Sequence, residues 1–239
     1  HRAQASTVGV AQYAKKACMG LLFERELKAL ELALKNPKRP LMAIIGGSKV
    51  STKLPILKNL LKKLEKTDAL FLGGGLANTF LKAQGQDIGQ SLCEDDLLDT
   101  AKSILKQAQA QGIKIHLPQD FILKQNVSEK IIMDLGPESL KAYETALSHA
   151  GTIVWNGPMG VFEQAEYAQG TLGIAKILAK HPAYTLAGGG ETVAAIEQIE
   201  QMTGISEFDY VSTAGGAFLE YLEGKTLPAI EILEERALQ

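Results

Sequence analysis

Short runs of consecutive apolar residues alternate along the chain with longer stretches whose apolar residues recur every three or four positions. The run Leu41–Ile45 contains no polar residue, which is typical of a strand buried on both faces of a parallel sheet. We predict further strands at 69–72, 113–117, about 131–133, 152–155, 184–187 and 209–213. We predict helices at about 14–34, 54–64, from 76, and at about 94–111, 138–149, 165–180, 192–196 and 217–222. This alternation predicts a doubly wound α/β fold, a mainly parallel sheet with helices on both faces.

The two ends of the chain are less regular. Residues 1–13 show no clear period and look like a segment that leads into the domain. The chain begins with His1 rather than methionine, so we expect a fragment or a processed product. The tail from Leu227 contains Pro228 and a short mixed run, which is consistent with a final helix or with an arm that docks elsewhere.

Glycine follows the carboxyl end of five predicted strands, at 46–47, 73–75, 157–160, 188–190 and 215–216. In open α/β sheets a ligand binds in the crevice outside the strand ends. One glycine pair could serve packing alone. Five glycine-rich segments directly after strand ends, called exits below, are hard to explain along one edge without a ligand. We therefore expect a binding site along this edge.

The exit at 188–190 carries the most specific chemistry. Three glycines lead into a helix near Thr192, and the free amides and positive dipole of a helix start attract phosphate. Glu191 beside a phosphate suggests that Mg²⁺ lies between them. Two alternatives stay open, because glycine-rich turns also serve strand–helix packing and Glu is common in any first helical turn.

Two other exits carry candidate ligand contacts. Lys49 and Lys53 lie four residues apart on one face of a helix start, where they could reach phosphate oxygens or simply be solvated. In the run 155–163, Pro158 and the neighbouring glycines could form a rigid wall against a flat base. Glu163 could accept hydrogen bonds from ribose hydroxyls, or could be a first-turn acid.

Composition narrows the class of protein. The 239 residues carry 25 basic and 27 acidic side chains, so neither nucleic acid nor a membrane is an expected partner. Cys18 and Cys93 are far apart, which suits a reducing cytosol and argues against a disulfide scaffold. No apolar run approaches transmembrane length. The four histidines show no nucleophile–base pattern.

Two familiar nucleotide-binding motifs fail. The run 219–226 ends like a P-loop, but Leu219 stands where the first glycine belongs, and a helix rather than a strand precedes it. After Gly46-Gly47 no G-x-G-x-x-G follows, and the next strand ends in glycines instead of a ribose-binding acid. A dinucleotide-dependent oxidoreductase is therefore disfavoured, although it shares the fold class.

Seven runs taken together resemble the phosphoglycerate kinase family, in the family's order: HRAQAST, IIGGSKVSTK, FLGGGLANTF, DLGP, VWNGPMGVFE, LAGGGET and VSTAGGAFLEYLEGK. The resemblance covers the C-terminal, nucleotide-binding half of a two-domain enzyme. It implies reversible, Mg²⁺-dependent phosphoryl transfer between 1,3-bisphosphoglycerate and ADP. It also implies a glycolytic, cytoplasmic enzyme that is a monomer when intact.

The same resemblance divides the chain into three parts. Residues 1–20 would lead from an absent N-terminal domain, 21–226 would form the nucleotide-binding α/β domain, and 227–239 would return toward the absent domain. The absent half would hold 3-phosphoglycerate, and Arg2 would be the one residue of that triose-phosphate site in this chain. The isolated chain is therefore expected to bind ATP or ADP without turnover.

Individual roles are also implied by the resemblance. Lys53 would contact the phosphates and the phosphoryl group in transfer, with Lys49 nearby, while Glu191 would face Mg²⁺. Gly215 and Gly216 would offer helix amides to the transferring group. The other implied nucleotide contacts are Gly46, Gly47, Ser48, Gly73, Gly74, Gly75, Asn156, Pro158, Gly160, Glu163, Gly189, Gly190 and Thr192.

The chain departs from the common family pattern at three positions. Glu191 replaces a frequent Asp, so its contact with Mg²⁺ could be direct or through water. Ala214 replaces a frequent Gly, so the turn there must avoid a left-handed backbone. Ser48 replaces a frequent Ala. The alternative function is a nucleotide-binding module without catalysis, which would keep the glycines but would not need Lys53.

Overall fold

The computed structural model describes residues 1–204 and 207–238, and within these ranges eight strands form two sheets. The strands are β1 (Leu41–Ile45), β2 (Ala69–Leu72), β3 (Lys114–His116), β4 (Phe121–Leu123), β5 (Ile132–Leu135), β6 (Thr152–Asn156), β7 (Tyr184–Gly188) and β8 (Tyr210–Ser212). Six of them pair in parallel in the order β3-β2-β1-β6-β7-β8. The predicted parallel α/β sheet is thus confirmed.

Ten α-helices accompany the strands within the described ranges. They are α1 (Val10–Tyr13), α2 (Leu21–Leu34), α3 (Val50–Lys63), α4 (Gly74–Ala83), α5 (Leu98–Gln111), α6 (Pro137–Leu147), α7 (Gln169–Ala179), α8 (Gly190–Thr203), α9 (Gly216–Leu222) and α10 (Pro228–Ala237). A π-helix at Ala5–Gly9 precedes α1, and 3₁₀ turns at Asp95–Leu97 and Ala165–Tyr167 precede α5 and α7.

Burial on both faces of the sheet explains the unbroken apolar run of β1. Leu41, Ala43 and Ile45 share a core with residues of α2, α3, α4, α5 and α9. Met42 and Ile44 share the opposite core with residues of α6, α7 and α8. Because helices cover both faces, no position of this strand can be polar without losing its hydration.

The helix predicted at about 14–34 is longer than the helix that the structure shows. Helix α2 begins at Leu21, and the backbone is extended at both Ala14 and Gly20. The prediction of helix over 14–20 was therefore wrong. The periodic apolar residues on which it depended, from Phe23 to Leu34, all lie inside the observed helix.

The predicted strand near 131–133 exists as β5, but it does not join the main sheet. It pairs antiparallel with β4, with Phe121 opposite Leu135. No strand was predicted at β4, because its three partly exposed residues offer neither the length nor the alternation that identifies a strand. The β4–β5 hairpin supplies a wall of the site described below.

The N-terminal segment and the tail pack against each other. The π-helix and α1 both contact α10, and Nη2 of Arg236 donates to the carbonyl of Ala14 at 2.8 Å. Two alternatives were left open for the tail, and the structure shows the final helix, α10. The last residue of the predicted tail, Gln239, lies outside the described ranges. The domain limits themselves stay a prediction.

The turn before α9 takes the conformation expected for it. Among the residues that the structure describes, Asn126 is the single non-glycine residue with a positive φ, so Ala214 is not left-handed. The positive φ of this turn, 55°, falls on Gly215, where a missing Cβ removes the steric cost.

Candidate functional site

The carboxyl ends of five parallel strands meet at one edge of the main sheet. β1 ends beside β2 and β6, because Ile45 is in register with both Leu72 and Asn156. β7 ends beside β8, with Gly188 opposite Ser212. The five glycine-rich exits therefore lie along one edge, as the alternation of strands and helices predicts.

The segment 157–159 crosses this edge in direct backbone contact with two of the exits. The amide of Gly47 donates to the carbonyl of Pro158, and that of Gly74 to the carbonyl of Met159, both at 2.9 Å. A Cβ at Gly46 would collide with the Pro158 carbonyl, and one at Gly73 would collide with the Met159 side chain. Gly46 and Gly73 are thus required for this close approach, and neither lines the cleft described below.

Lys53 lies over the first of these exits with its ammonium group partly withdrawn from water. Its Cε would be 3.4 Å from a Cβ at Gly47, and its Nζ donates to Oδ1 of Asn156 at 2.6 Å. Burial lowers the pKa of Lys53, an effect that the charges of Glu191 and Glu223 partly offset. No ion pair with Lys53 occurs in residues 1–204 and 207–238. Its positive charge is therefore available to an anion.

Asn156 and Thr192 connect the crossing segment to β7 and α8. Asn156 is 1% exposed, and its Nδ2 donates to the carbonyl of Gly188 at 2.7 Å. Thr192 is 0% exposed, and its Oγ1 accepts the amide hydrogen of Gly157 at 2.7 Å. Both side chains lie beneath the edge, where they hold backbone in place.

The start of α8 faces open space. Gly189, the N-cap residue, has a φ of 97°, which is a conformation that favours glycine. A Cβ at Gly190 would have no neighbour within 4 Å, and Glu191 is exposed in the first turn. Free amides and the positive helix dipole thus face outward here, which is a favourable place for an anion.

The start of α3 differs, because a distant carboxylate already occupies it. Oε2 of Glu94 accepts the amide hydrogen of Ser51 at 2.9 Å, and Oε1 accepts the Ser51 hydroxyl hydrogen at 2.5 Å. Partial burial opposes ionisation, but the hydrogen bonds from Ser51 hold the pKa of Glu94 below its usual range. An anion beside α3 would therefore find the Ser51 amide already bonded, and Lys49 and Lys53 are the nearby cations that could meet it.

The exit of β8 is held by another distant carboxylate. Glu26 of α2 is 6% exposed and accepts hydrogen bonds from the Ser212 hydroxyl at 2.8 Å and from the Thr213 amide at 2.8 Å. At the adjacent start of α9, the ring of His1 lies close to Gly216, where an added Cβ would be 3.0 Å from its Nε2. The N-terminal segment that carries Arg2 therefore reaches the start of α9.

A cleft of about 230 Å³ opens between the crossing segment, α4 and the β4–β5 hairpin. Its lining includes eight of the predicted site residues, Gly47, Ser48, Gly74, Gly75, Pro158, Gly160, Glu163 and Glu191. It also includes residues that sequence reasoning missed, Asn78, Leu92, Pro118, Phe121, Ile132, Met133, Asp134, Leu135, Met159 and Val161. A volume below the usual 300–1,000 Å³ of ligand pockets can enclose part of a nucleotide, so the rest would extend along the open edge.

Asp134 is the buried carboxylate of this lining. It is 2% exposed, and its oxygens accept the amide hydrogens of Gly170 at 2.7 Å and Leu135 at 2.8 Å. Gly160 and Gly170 leave the room that it occupies, because a Cβ at either would collide with it. Burial raises the pKa of Asp134 to about 6, although the backbone hydrogen bonds favour its charged form. The run DLGP was noticed in the sequence, but nothing in it signals this role.

Neither a membrane span nor a ready-made metal cluster is found within the described residues. None of their helices combines the length and the apolar character that crossing a bilayer requires. No group of three or more His, Cys, Asp or Glu side chains among them is arranged to hold a metal ion. Mg²⁺ commonly takes one or two carboxylates plus substrate phosphates, so the exposed Glu191 at the cleft fits such a cation.

The fold and the site define a doubly wound α/β protein whose candidate ligand site lies at the carboxyl edge of its parallel sheet. The model of the family described as phosphoglycerate kinase matches residues 1–225. The chain therefore belongs to the phosphoglycerate kinase family.

Individual relatives agree with this assignment. The chain is 50% identical over 252 residues to the phosphoglycerate kinase of Coxiella burnetii, covering 99% of this chain and 63% of that protein. It is 50% identical over 254 residues to that of Francisella tularensis, covering 100% and 63%. The chain thus spans about 63% of the length of these curated relatives.

Solved structures give the same result. The phosphoglycerate kinase structure from Coxiella burnetii matches with a TM-score of 0.92 at 49% identity, over 99% of this chain and 63% of that one. The structure from Pyrococcus horikoshii matches with a TM-score of 0.82 at 32% identity, over 98% and 61%.

The buried Asp134 predicts a specific dependence of stability on pH. Its folded-state pKa of about 6 lies above the ordinary value of 3.8, so the folded protein binds this proton more tightly than the unfolded chain. The stabilisation that this proton gives is complete below about pH 4 and is lost as the pH rises to 6. Relative to Asp134→Asn, the free energy of unfolding of the wild type should fall by about 3 kcal/mol over that window.

Urea unfolding of both proteins at intervals between pH 4 and 7 measures this difference. Above about pH 6 the difference should be constant. Parallel curves across the whole range would show that Asp134 titrates normally.

The contact between Glu94 and Ser51 predicts that a distant residue stabilises α3. Glu94→Ala should lower the free energy of unfolding by about 1 kcal/mol, because it removes a capping acceptor from a helix start. Asp99→Ala is the matched control, since Asp99 also stands in a first helical turn but its side chain is 98% exposed. Thermal unfolding compares the two variants, and equal losses would mean that the cap contributes nothing specific.

Proposed function

We propose that this chain is the nucleotide-binding part of a phosphoglycerate kinase that transfers a phosphoryl group reversibly between 1,3-bisphosphoglycerate and ADP. The observation that carries the proposal is Lys53, a partly desolvated cation at the carboxyl edge whose hydrogen-bond partner, Asn156, is neutral. A nucleotide-binding module without catalysis would not require a cation held in this way. Membership of the family supports the same reaction.

Lys53 has the properties that phosphoryl transfer requires of a side chain. The reaction needs in-line positioning and stabilisation of charge on the transferring group more than covalent chemistry. A charge held in a partly dehydrated place interacts more strongly with developing negative charge than it would in bulk water. Lys53 would contact that group, and Asn156 would fix the ammonium position before the substrate arrives.

The open start of α8 would hold the phosphates. Gly190 and Glu191, the first two residues of the helix, are exposed, and the helix dipole favours an anion there. Glu191 would hold Mg²⁺, which would neutralise part of the negative charge of the phosphates when bound. Lys49 would add a second positive charge from the start of α3, and Gly215 and Gly216 would present amides at the start of α9.

The cleft would take the nucleoside. Leu92, Phe121 and Ile132 give one end of it an apolar character suited to a base. Pro158 and Gly160 would form the facing wall, and the exposed Glu163 would accept hydrogen bonds from the ribose. The base would thus be partly enclosed, while the phosphates would reach the open edge beside Lys53.

We propose that residues 1–20 and 227–239 connect the domain 21–226 to the part of the family's length that this chain does not span. Val10, Tyr13 and Leu238 are 61%, 89% and 90% exposed, although all three belong to the packed pair of α1 and α10 or follow it directly. Large apolar side chains exposed together often mark an interface. Arg2 and the 3-phosphoglycerate contacts of that second part would complete the site.

If Glu191 holds Mg²⁺, its charge matters only when the metal is present. Glu191→Gln should weaken the binding of Mg·ADP much more than the binding of ADP in the presence of a chelator. Glu197→Gln is the matched control, because Glu197 is exposed on the same helix but lies about one and two-thirds turns further along. Calorimetry gives the four affinities, and equal losses with and without Mg²⁺ would make Glu191 a helix-start acid only.

Lys53 should act mainly in the transition state. The chain of 239 residues should bind Mg·ADP but turn over negligibly, and the N-terminal part of a relative, fused or added in trans, should restore transfer. In the restored enzyme, Lys53→Ala should lower kcat by a larger factor than it raises the nucleotide KM.

Lys58→Ala is the control for this measurement, because Lys58 is an exposed lysine of the same helix. Substantial kinase activity of the chain alone would contradict the division of the enzyme into two parts. A change confined to KM in Lys53→Ala would make Lys53 a ground-state phosphate anchor.

A further inference from the structure

Asn156 and Gly157 form the one Asn–Gly pair of the chain, at the point where β6 ends and the crossing segment 157–159 begins. In such a pair the backbone nitrogen of the glycine can attack the side-chain amide carbon of the asparagine, because no Cβ on the glycine hinders the approach. The other asparagines of the chain precede Pro, Leu, Thr or Val, which oppose this attack. The pair is therefore the most reactive asparagine site in the sequence.

The reaction of this pair is deamidation, and it needs only a base and water. The glycine nitrogen loses its proton to the base and forms a bond to the amide carbon of the asparagine. The carbon–nitrogen bond of the side-chain amide breaks, ammonia leaves, and a five-membered succinimide remains. Water then opens the ring at either carbonyl and gives aspartate or isoaspartate.

The structure holds both reacting groups of the pair in place. Oδ1 of Asn156 accepts a hydrogen bond from Nζ of Lys53 at 2.6 Å, and Nδ2 donates to the carbonyl of Gly188 at 2.7 Å. The attacking atom is held as well, because the amide of Gly157 donates to Oγ1 of Thr192 at 2.7 Å. Asn156 and Thr192 are 1% and 0% exposed, so these bonds lie out of reach of solvent.

The bond to Thr192 opposes the chemical step directly. The Gly157 nitrogen can attack only after its N–H has left Thr192 and given its proton to a base, so the edge has to open locally first. Local opening costs less free energy than global unfolding, and a buried hydrogen bond is part of that cost. We infer that Asn156 is a deamidation site of this protein and that the hydrogen bond from Gly157 to Thr192 keeps it closed.

Either product changes the edge of the sheet. Aspartate at Asn156 places a carboxylate beside Lys53 and gives this ammonium an ion pair, which it lacks within residues 1–204 and 207–238. Isoaspartate instead adds its Cβ to the main chain directly before the crossing segment, whose Pro158 carbonyl accepts the Gly47 amide hydrogen at 2.9 Å. Deamidation thus removes either the available positive charge or the backbone geometry of the edge.

Peptide mass spectrometry of the 239-residue chain, incubated at neutral pH, measures the reaction as the gain in mass when OH replaces NH₂. In guanidinium chloride, Asn156 should react before every other asparagine of the unfolded chain. In the folded protein it should react at least about a hundredfold more slowly, because only the locally opened fraction is reactive.

Three variants test the role of Thr192. Thr192→Val keeps the size of the side chain and removes the acceptor, so deamidation of the folded protein should be about tenfold faster. Thr192→Ser keeps a hydroxyl and should react near the wild-type rate. Thr171→Val is the matched control, because Thr171 is also 0% exposed and its Oγ1 accepts the amide hydrogen of Met159 at 3.0 Å in the same segment. It does not hold the attacking nitrogen, so its rate should also stay near that of the wild type.

Thermal unfolding establishes that each variant is folded at the temperature of incubation. An unfolded chain in which Asn156 reacts no faster than the other asparagines would overturn the site. Equal rates in the folded and unfolded wild type would overturn its protection, and this comparison needs no variant to fold. If Thr192→Val matched the wild type, or if Thr171→Val were equally fast, the hydrogen bond to Thr192 would not be what keeps the site closed.

Discussion

The backbone contact between the segment 157–159 and the glycine exits of β1 and β2 sets the geometry of the whole edge. The carbonyl of Pro158 occupies the space that a side chain at Gly46 would need, so the contact exists only with glycine. On its other side the segment is held by the buried Thr192 of α8. The starts of α3, α4 and α8 are therefore tied to one strip of backbone, and a ligand that spans them meets groups already in position.

Carboxylates from distant parts of the chain divide the helix starts and strand ends of this edge into occupied and open places. Glu94 satisfies the start of α3 and Glu26 satisfies the exit of β8, each from a distant part of the chain. Within the described residues, no distant carboxylate accepts a hydrogen bond from the start of α8, and Glu191 of its first turn lines the cleft. In the proposed function, anionic ligands would thereby be directed toward α8 and Lys53. The choice of where a phosphate binds follows from which amides the protein has left unpaired.

Sequence reasoning recovered the sheet and its functional edge because both depend on local signals. Unbroken apolar runs identify strands covered on two faces, and glycines at their ends identify close backbone approach. It could not separate glycines that line the cleft, such as Gly75, from those that face the crossing segment, such as Gly46, because that depends on contacts distant in sequence. Asn78 and Asp134 were missed for the same reason: their places in the cleft lining depend on contacts that no local pattern connects to them.

The unequal enclosure of the cleft and the edge has a consequence for phosphoryl transfer. In the proposed reaction, a base enclosed by apolar residues would contribute binding energy far from the reacting atoms, and that energy could hold the phosphates in line. The phosphate end must stay open, since the acceptor has to approach from outside the domain. With His1 beside the start of α9 and exposed apolar residues on α1, the N-terminal segment lies where such an approach would begin. In the proposed function the edge would thus be preorganised on the nucleotide side, while the acceptor would be held by a second part, so closure would exclude water only when both substrates are present.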